Sequence, residues 1–272
     1  MIIGKSDFDF KSRTYIMGIL NVTPDSFSDG NRFNSLDTAM HHTEKMLSEG
    51  ADIIDVGGES TKPGHVLISE EEEINRVIPI IKAIKSNFPG IPISVDTYKP
   101  AILLAAIDSG ADMANDIWGL KYDRRYAEIL AESGIPCCIM HNRNNTDYRN
   151  ILEDIVSDIN ESLNIAFSCS IKKEKIILDP GIGFGKTYEQ NLFVMNNLDK
   201  IIKEFPYPFL LGISRKSMIG YATDEPNPEK RLEGTIAANV LGISKGCGII
   251  RVHDVKSNRL AAVMADKILK SI

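Results

Sequence analysis

Seven polar residues that could bind a ligand or assist a reaction follow short apolar runs in this chain of 272 residues: Asn21, Asp96, Asn115, Asp179, Lys216, Arg251 and His253. Carboxylates accept paired N–H bonds, and an amide group both donates and accepts. Asp96, Asn115 and Asp179 therefore suit a ligand with adjacent N–H donors, such as the edge of an aminopyrimidinone. The same oxygens could instead hold a divalent metal ion, although no D-x-D or H-x-H spacing supports a cage made by protein alone.

A second group of residues suits an anion. Arg251 and His253 occupy alternate positions, so in a strand their side chains point to the same side. A guanidinium group can donate two parallel hydrogen bonds to two oxygens of a phosphate group. With Thr61, Lys62 and Asn21 they could hold a polyphosphate together with Mg²⁺, which usually binds through substrate phosphates and a few protein ligands. A surface salt bridge is the simpler role for Arg251 alone.

The glycine-rich stretch from Asp179 to Thr187 reads D-P-G-I-G-F-G-K-T. It departs by one residue from the phosphate-binding P-loop, which needs Gly at the position of Pro180, and by one residue from the dinucleotide fingerprint. Its glycines still allow the backbone to approach a flat ligand closely, next to the carboxylate of Asp179. A tight loop without a ligand is the alternative.

Alternating strands and helices must position these residues. Short apolar runs, each followed by a segment with apolar residues at helical spacing, predict strands that end near Leu20 and cover residues 51–56, 93–95, 112–114, 137–140, 176–178, 209–212 and 249–252. Such buried strands indicate a parallel sheet with helices outside. Eight strand–helix units are the number in a TIM barrel, and we predict one (β/α)8 domain over residues 1–272. An open, doubly wound sheet would give a similar pattern.

The barrel prediction has a consequence for function. The carboxyl ends of all barrel strands meet at one mouth, so the seven polar residues would converge there despite their separation in sequence. For any single Asp or Asn, a helix cap or a turn is the alternative explanation. The recurrence of polar residues after most strands favours a site.

The bulk composition excludes several classes of function. A net charge of −6 without a basic stripe argues against binding to nucleic acid. No apolar run approaches the length of a membrane span, and the first residues lack the apolar core of a secretion signal. The four cysteines, at 137, 138, 169 and 247, have no C-x-x-C spacing, which favours free thiols in a reducing cytoplasm.

Seven separated stretches have the order and content of motifs that occur together in one enzyme family: 18–30, 55–61, 94–97, 115–116, 178–186, 214–217 and 251–254. On these motifs the chain resembles the dihydropteroate synthases of folate biosynthesis, from about Tyr15 to Val255. The resemblance implies a TIM barrel and a transferase that joins 6-hydroxymethyl-7,8-dihydropterin diphosphate to p-aminobenzoate and releases pyrophosphate. It also implies a requirement for Mg²⁺ and a homodimer.

The resemblance assigns the pterin ring to the strand ends. Asp96, Asn115 and Asp179 would hold the ring edge, and Lys216 would contact the ring carbonyl and a ring nitrogen. Arg251 would lie over the ring. Asp96, Lys216 and Arg251 are the residues that we expect to matter most for catalysis.

The resemblance also assigns the remaining substrate groups. Asn21 would bind Mg²⁺ beside the pyrophosphate, while His253 and Thr61 would hold phosphate oxygens. As a separate hypothesis, the segment from Thr23 to Gly30, which is polar and contains glycine, would close over the reacting carbon. The p-aminobenzoate site, where sulfonamides compete in this family, would be bordered by Pro63, Phe184, Lys216 and Ser217.

One position departs from the family pattern, which usually has Arg where this chain has Lys62. Lysine keeps the positive charge of arginine but lacks the planar guanidinium group, which can donate two parallel hydrogen bonds.

Two other functions share the barrel and the pterin carboxylates. One is a methyltransferase that passes a methyl group from a methylated folate to a corrinoid partner, and the other is a pterin-binding relative without catalysis.

Overall fold

The computed structural model describes residues 1–22, 32–59 and 67–269, with residues 32–35 as backbone only. Three predicted site residues, Thr61, Lys62 and Pro63, lie outside the described residues. So does the predicted cover from Thr23 to Gly30.

Eight parallel strands form a barrel, as predicted. They are β3 (Tyr15–Asn21), β4 (Ile53–Gly57), β5 (Ile93–Asp96), β6 (Met113–Asp116), β7 (Cys137–Met140), β8 (Ile176–Asp179), β9 (Leu210–Leu211) and β10 (Ile249–Val252). Their order is β8-β7-β6-β5-β4-β3-β10-β9, and a parallel bridge between Leu178 and Phe209 closes the sheet. Two further strands, β1 (Ile2–Ile3) and β2 (Ser6–Asp7), form an antiparallel hairpin before the barrel.

Helices follow the barrel strands. They are α1 (Arg32–Ser48), α2 (Glu70–Asn87), α3 (Pro100–Asp108), α4 (Arg124–Ser133), α5 (Ile151–Ser168), α6 (Tyr188–Asn196), α7 (Leu198–Lys203), α8 (Ser217–Thr223), α9 (Leu232–Ser244) and α10 (Val255–Leu269). None of the helices in the described part of the chain has both the length and the apolar character needed to span a membrane.

Helix α2 contains a proline, Pro79, and still runs undivided from Glu70 to Asn87. Pro79 lies on the exposed face, where water can satisfy the carbonyl group that loses its helical partner. The helix begins after Ser69, whose side chain accepts a hydrogen bond from the Glu72 backbone N–H.

The barrel interior changes from apolar to polar along the strands. Near the strand starts, one residue from each of seven strands packs with Ile3 and Phe8 of the N-terminal segment in a single buried cluster: Met17, Ile53, Met113, Cys138, Ile177, Leu210 and Ile249. Residues two positions apart in a strand face the same side. The next inward positions are therefore Asp55, Asn115, Asp179, Gly212 and Arg251 among others, and the interior becomes polar toward the mouth.

Candidate functional site

Arg251 lies at the centre of the polar layer. Its Nε donates to Oδ2 of Asp55 and its Nη2 donates to Oδ2 of Asp96, both at 2.6 Å. Burial alone would lower the pKa of Arg251, but the two carboxylates outweigh burial and raise it above its usual value. The guanidinium group is therefore charged at every physiological pH, and its position is fixed from two neighbouring strands.

Two carboxylate oxygens in this layer have no hydrogen-bond partner in the described part of the chain. They are Oδ1 of Asp55 and Oδ1 of Asp96, both buried. Burial raises the pKa of Asp96, the Arg251 charge counteracts this rise, and the Asp55 charge adds to it. Buried polar atoms are nearly always paired in native proteins. An unpaired Asp96 oxygen at the mouth is therefore the kind of acceptor that a ligand N–H group would satisfy.

Asn115 and Gly212 complete the floor of the site. Asn115 Nδ2 donates to Oδ2 of Asp55 at 3.2 Å, so its amide orientation is set by the same carboxylate that holds Arg251. Gly212 takes the inward position on the chain leaving β9. A Cβ atom there would lie 3.5 Å from Oδ2 of Asp179 and 3.9 Å from Cδ of Arg251. A side chain at this position would therefore contact both residues, and glycine leaves that space open.

Asp179 links strand β8 to the glycine-rich loop. Its Oδ1 accepts a hydrogen bond from the Gly181 N–H at 2.7 Å. Burial raises the pKa of Asp179, while the Lys216 charge, the Gly181 hydrogen bond and the Lys186 and Arg251 charges lower it. Asp179 is thus a buried carboxylate surrounded by cations, as expected for an acceptor of ligand N–H groups.

Lys216 and Phe184 meet on the other side of the loop. The Lys216 Nζ lies 4.3 Å from the centre of the Phe184 ring and donates to the Ile182 carbonyl oxygen. Burial lowers the pKa of Lys216 to about 8, although the Asp179 carboxylate acts in the opposite direction. Lys216 can therefore offer a cation beside an aromatic wall near Asp179.

The other predicted site residues lie at the rim. His253 Nδ1 is 3.0 Å from Oγ of Ser214, which also accepts the His253 backbone N–H. Ser217 is exposed at the first residue of α8, and Asn21 is exposed at the last residue of β3. The structure thus links Asp96 to Arg251 directly, Asn115 to Arg251 through Asp55, and Asp179 to Lys216 through the loop.

The described residues offer a metal ion few ligands. Within residues 1–22, 32–59 and 67–269, no group of three or more His, Cys, Asp or Glu side chains is arranged to hold a metal ion. The amide oxygen of Asn21 is a hard ligand at the mouth, of the type that Mg²⁺ accepts. This donor set fits an ion that takes most of its ligands from substrate phosphates and water.

Two charged clusters beside the site carried no role in the sequence interpretation. In one, Lys99 Nζ lies 2.7 Å from carboxylate oxygens of both Glu59 and Glu73. In the other, Lys186 Nζ lies 2.9 Å from Nδ1 of His141. Neither shows a spacing that could have revealed it, because each joins residues from different strand–helix units.

Asp55 was also given no role. Here a signal was present, because a charged residue interrupts the apolar run from Ile53 to Val56. Burial of an unpaired charge is costly, so a carboxylate inside a buried strand implies a nearby partner. Its partner, Arg251, is 196 residues away.

Known proteins are similar to this chain over most of its length. Residues 17–253 match the family model described as pterin binding enzyme. The chain is similar to the dihydropteroate synthase of Clostridium beijerinckii, with 58% identity over 99% of this chain and 100% of that protein.

Two solved structures are also similar. A dihydropteroate synthase from Clostridium difficile, solved in the presence of pteroic acid, has a TM-score of 0.93 and 52% identity over 96% of this chain and 99% of that one. The Xanthomonas albilineans enzyme with 4-aminobenzoic acid has a TM-score of 0.90 and 36% identity, over 95% and 94% of the two chains.

Proposed function

The chain belongs to the dihydropteroate synthases of the pterin-binding enzyme family and is a transferase, and we propose that it condenses 6-hydroxymethyl-7,8-dihydropterin diphosphate with p-aminobenzoate. The bond between the methylene carbon and the diphosphate oxygen breaks, and a bond from that carbon to the amine nitrogen forms. Pyrophosphate leaves, the amine loses a proton, and 7,8-dihydropteroate remains. The observation that carries the proposal is the partly buried Arg251 between two carboxylates, with no partner for Asp96 Oδ1 among the described residues.

The pterin ring occupies the floor of the barrel mouth in this proposal. The ring edge carries adjacent N–H donors, which match the Asp96 and Asp179 carboxylates and the Asn115 amide. Lys216 donates to the ring carbonyl and a ring nitrogen, and Arg251 lies over the ring. The space above Gly212, between Asp179 and Arg251, supports a flat ligand at this depth.

The chain assists the departure of pyrophosphate with cations. Fixed positive charge near a departing anion stabilises the transition state most where water is excluded. Arg251 and Lys216 supply such charge from the ring side, and His253, together with Thr61 and Lys62, supplies donors to the phosphate oxygens. When bound, Mg²⁺ supplies further charge to the diphosphate, and Asn21 would be its protein ligand. An aromatic amine is unprotonated at neutral pH, so positioning takes the place of a strong general base.

The p-aminobenzoate binds between the glycine-rich loop and helix α8. The Phe184 ring offers an apolar wall, and Lys216 at 4.3 Å from that ring offers a charge. The Ser217 hydroxyl is exposed beside them, and Pro63 would complete the border. A sulfonamide has the same aniline group and should compete for this site.

We also propose a homodimer formed through the last two helices. Helices α9 and α10 pack side by side, and together they expose a set of large apolar side chains: Leu241, Leu260, Val263, Met264 and Ile268. Burial of this face by a second copy would remove apolar surface from water. Light scattering after gel filtration should give twice the chain mass for the wild type and the single-chain mass for Met264→Lys. A monomeric wild type would contradict the proposal.

We propose a cytoplasmic location because all four cysteines are unpaired.

The decisive experiment follows pyrophosphate release from protein, Mg²⁺, the pterin diphosphate and p-aminobenzoate. Release should require every component and should fall when a sulfonamide is added. Pterin binding without release would instead indicate a relative without catalysis, and methyl transfer to a corrinoid would indicate the methyltransferase.

The Lys62→Ala variant tests the departure from the family pattern. It should lose most of its turnover, because it removes a cation beside the leaving group. Turnover within about twofold of the wild type would show that Lys62 is only a surface residue.

A further inference from the structure

The ammonium group of Lys186 lies buried against the carbonyl groups of Gly181 and Phe184 in the glycine-rich loop. We propose that Lys186 is a positioning residue for pterin binding: it holds residues 181–185 in place and supplies a further cation near Asp179. The proposal rests on the proposed function, since it concerns the pterin site.

The hydrogen bonds of Lys186 account for all of its protons. Its Nζ lies 2.9 Å from Nδ1 of His141, 2.9 Å from the Gly181 carbonyl oxygen and 3.1 Å from the Phe184 carbonyl oxygen. An ammonium ion has three N–H donors and no acceptor. Three donors meet three acceptors, so the geometry is that of a protonated lysine.

The same count determines the state of His141. The ionised Asp158 carboxylate only accepts, so His141 Nε2, 2.9 Å from Asp158 Oδ2, carries the ring proton, and Nδ1 is left to accept from Lys186. Burial lowers the pKa of His141 to about 4, the Asp158 hydrogen bond opposes this, and the Lys186 charge lowers it further. A neutral ring between a cation and a carboxylate fits this environment.

The loop held by Lys186 bears two parts of the substrate site. Gly181 accepts from Lys186 through its carbonyl group and donates to Asp179 through its N–H group. Gly181 has φ +67°, and a Cβ atom there would lie 1.8 Å from the His141 carbonyl oxygen, so the loop is packed tightly. Phe184, whose carbonyl group Lys186 also holds, forms the wall beside Lys216. A shift of the loop would therefore move both the Asp179 hydrogen bond and this wall.

Charge adds a second effect. Lys186 is one of the cations that lower the pKa of Asp179 against the effect of burial. Burial lowers the pKa of Lys186 itself to about 7; the facing Asp179 and Asp158 raise it, and Lys216 and Arg143 lower it. Loss of the Lys186 proton leaves one of its three acceptors unpaired and removes a positive charge from Asp179. Pterin affinity should therefore fall as the pH rises through the pKa of Lys186.

The test compares Lys186→Met with the wild type by calorimetric titration with 6-hydroxymethyl-7,8-dihydropterin diphosphate. At about pH 6 the variant should bind at least about tenfold more weakly, since it lacks a charged donor. The ratio of the two dissociation constants should shrink toward about pH 9, where the wild type has also lost the charge. A ratio that stays constant with pH, or equal affinity at about pH 6, would overturn the proposal.

Lys245→Met is the matched control. Lys245 also joins two segments, by donating to the Asn196 carbonyl oxygen at 2.7 Å and to Asp199, and these bonds involve none of the described site residues. This variant should bind the pterin diphosphate as the wild type does. An equal loss in both variants would mean that any lost lysine weakens binding, which contradicts a specific role.

A measurement without ligand separates this proposal from the proposed function. Nitrogen NMR of the histidines should show His141 with its proton on Nε2 in the wild type, and a higher His141 pKa in Lys186→Met. Should that variant fail to fold, Lys186→Gln allows the same measurement. An unchanged His141 pKa would refute the role of Lys186, whereas a wild type that binds no pterin diphosphate would refute the proposed function alone.

Discussion

Replacement of Lys99 by Met should destabilise the barrel strongly, because it leaves two buried carboxylates without their cation. Lys99 Nζ lies 2.7 Å from Glu59 Oε2, 2.7 Å from Glu73 Oε2 and 2.9 Å from the Ile68 carbonyl oxygen. The three side chains are 8%, 4% and 1% exposed. The same ammonium ion thus joins Glu59 and Ile68, which flank the segment that carries Thr61, Lys62 and Pro63.

The size of the effect follows from burial. Removal of one partner from a buried ion pair costs about 3 to 5 kcal/mol, because the remaining charge stays out of water. At about 2 cal/mol/K of unfolding entropy per residue, the loss lowers the Tm of a 272-residue chain by about 5 to 9 °C. Met keeps the length and the apolar stem of Lys, so the lost charge accounts for most of the change.

The pH dependence adds a sharper criterion. Burial would raise the pKa of Glu59, but the bonds from Lys99, the Ile68 N–H and Tyr98 together hold it below its usual value. In the wild type this carboxylate stabilises the fold above its unfolded pKa, and the contribution is lost as the pH falls through the folded pKa. In Lys99→Met the buried Glu59 loses the Lys99 charge, so the pKa of Glu59 rises. Protonation of Glu59 then removes the cost of burying its negative charge. The stability difference should be largest near about pH 8 and smaller near about pH 5.

The assay is equilibrium unfolding in guanidinium chloride, followed by circular dichroism at both pH values. Lys245→Met is the control, because its partner Asp199 is 35% exposed and such pairs contribute at most about 1 kcal/mol. A loss below about 1 kcal/mol in Lys99→Met at about pH 8 would refute the reasoning. So would a loss that is equal at both pH values.

Three further predictions concern the site. Arg251→Lys should lower kcat/KM by about tenfold to a hundredfold, because one ammonium group cannot reproduce two directed bonds to Asp55 and Asp96. An unchanged kcat/KM in steady-state kinetics would contradict this prediction. Asp55→Asn should lower the pKa of Asp96, because a neighbouring negative charge is removed. It should also weaken the binding of the pterin diphosphate by about tenfold, measured by calorimetry. Equal affinity would show that Asp96 alone orients Arg251. Because Lys216 acts as a cation with a pKa lowered to about 8 by burial, kcat should decline as the pH rises through that value, and Lys216→Arg should move the decline upward; a decline that stays in place belongs to another group.

Much of the fold could be predicted from local pattern. Apolar runs such as Cys137–Met140 became strands with the predicted bounds, because four consecutive buried residues suit a strand covered on both faces. The bounds agree less well for a strand with few paired residues. The predicted strand over 209–212 is observed only over Leu210–Leu211. Helix α8 and the break between α6 and α7 at Asn197 were not predicted, because short helices lack a clear period.

The sequence by itself determined the repeat of strand and helix, the motifs of the family and the strand ends at which Asp96, Asn115, Asp179 and Arg251 stand. These features depend on residue order and on the rule that parallel strands share one carboxyl edge. Only the tertiary structure decided the partners: Arg251 with Asp55, Lys99 with Glu59 and Glu73, and Lys186 with His141. Those pairs depend on strand register and on the depth of burial, which bring together charges that are far apart in sequence and set the protonation of each.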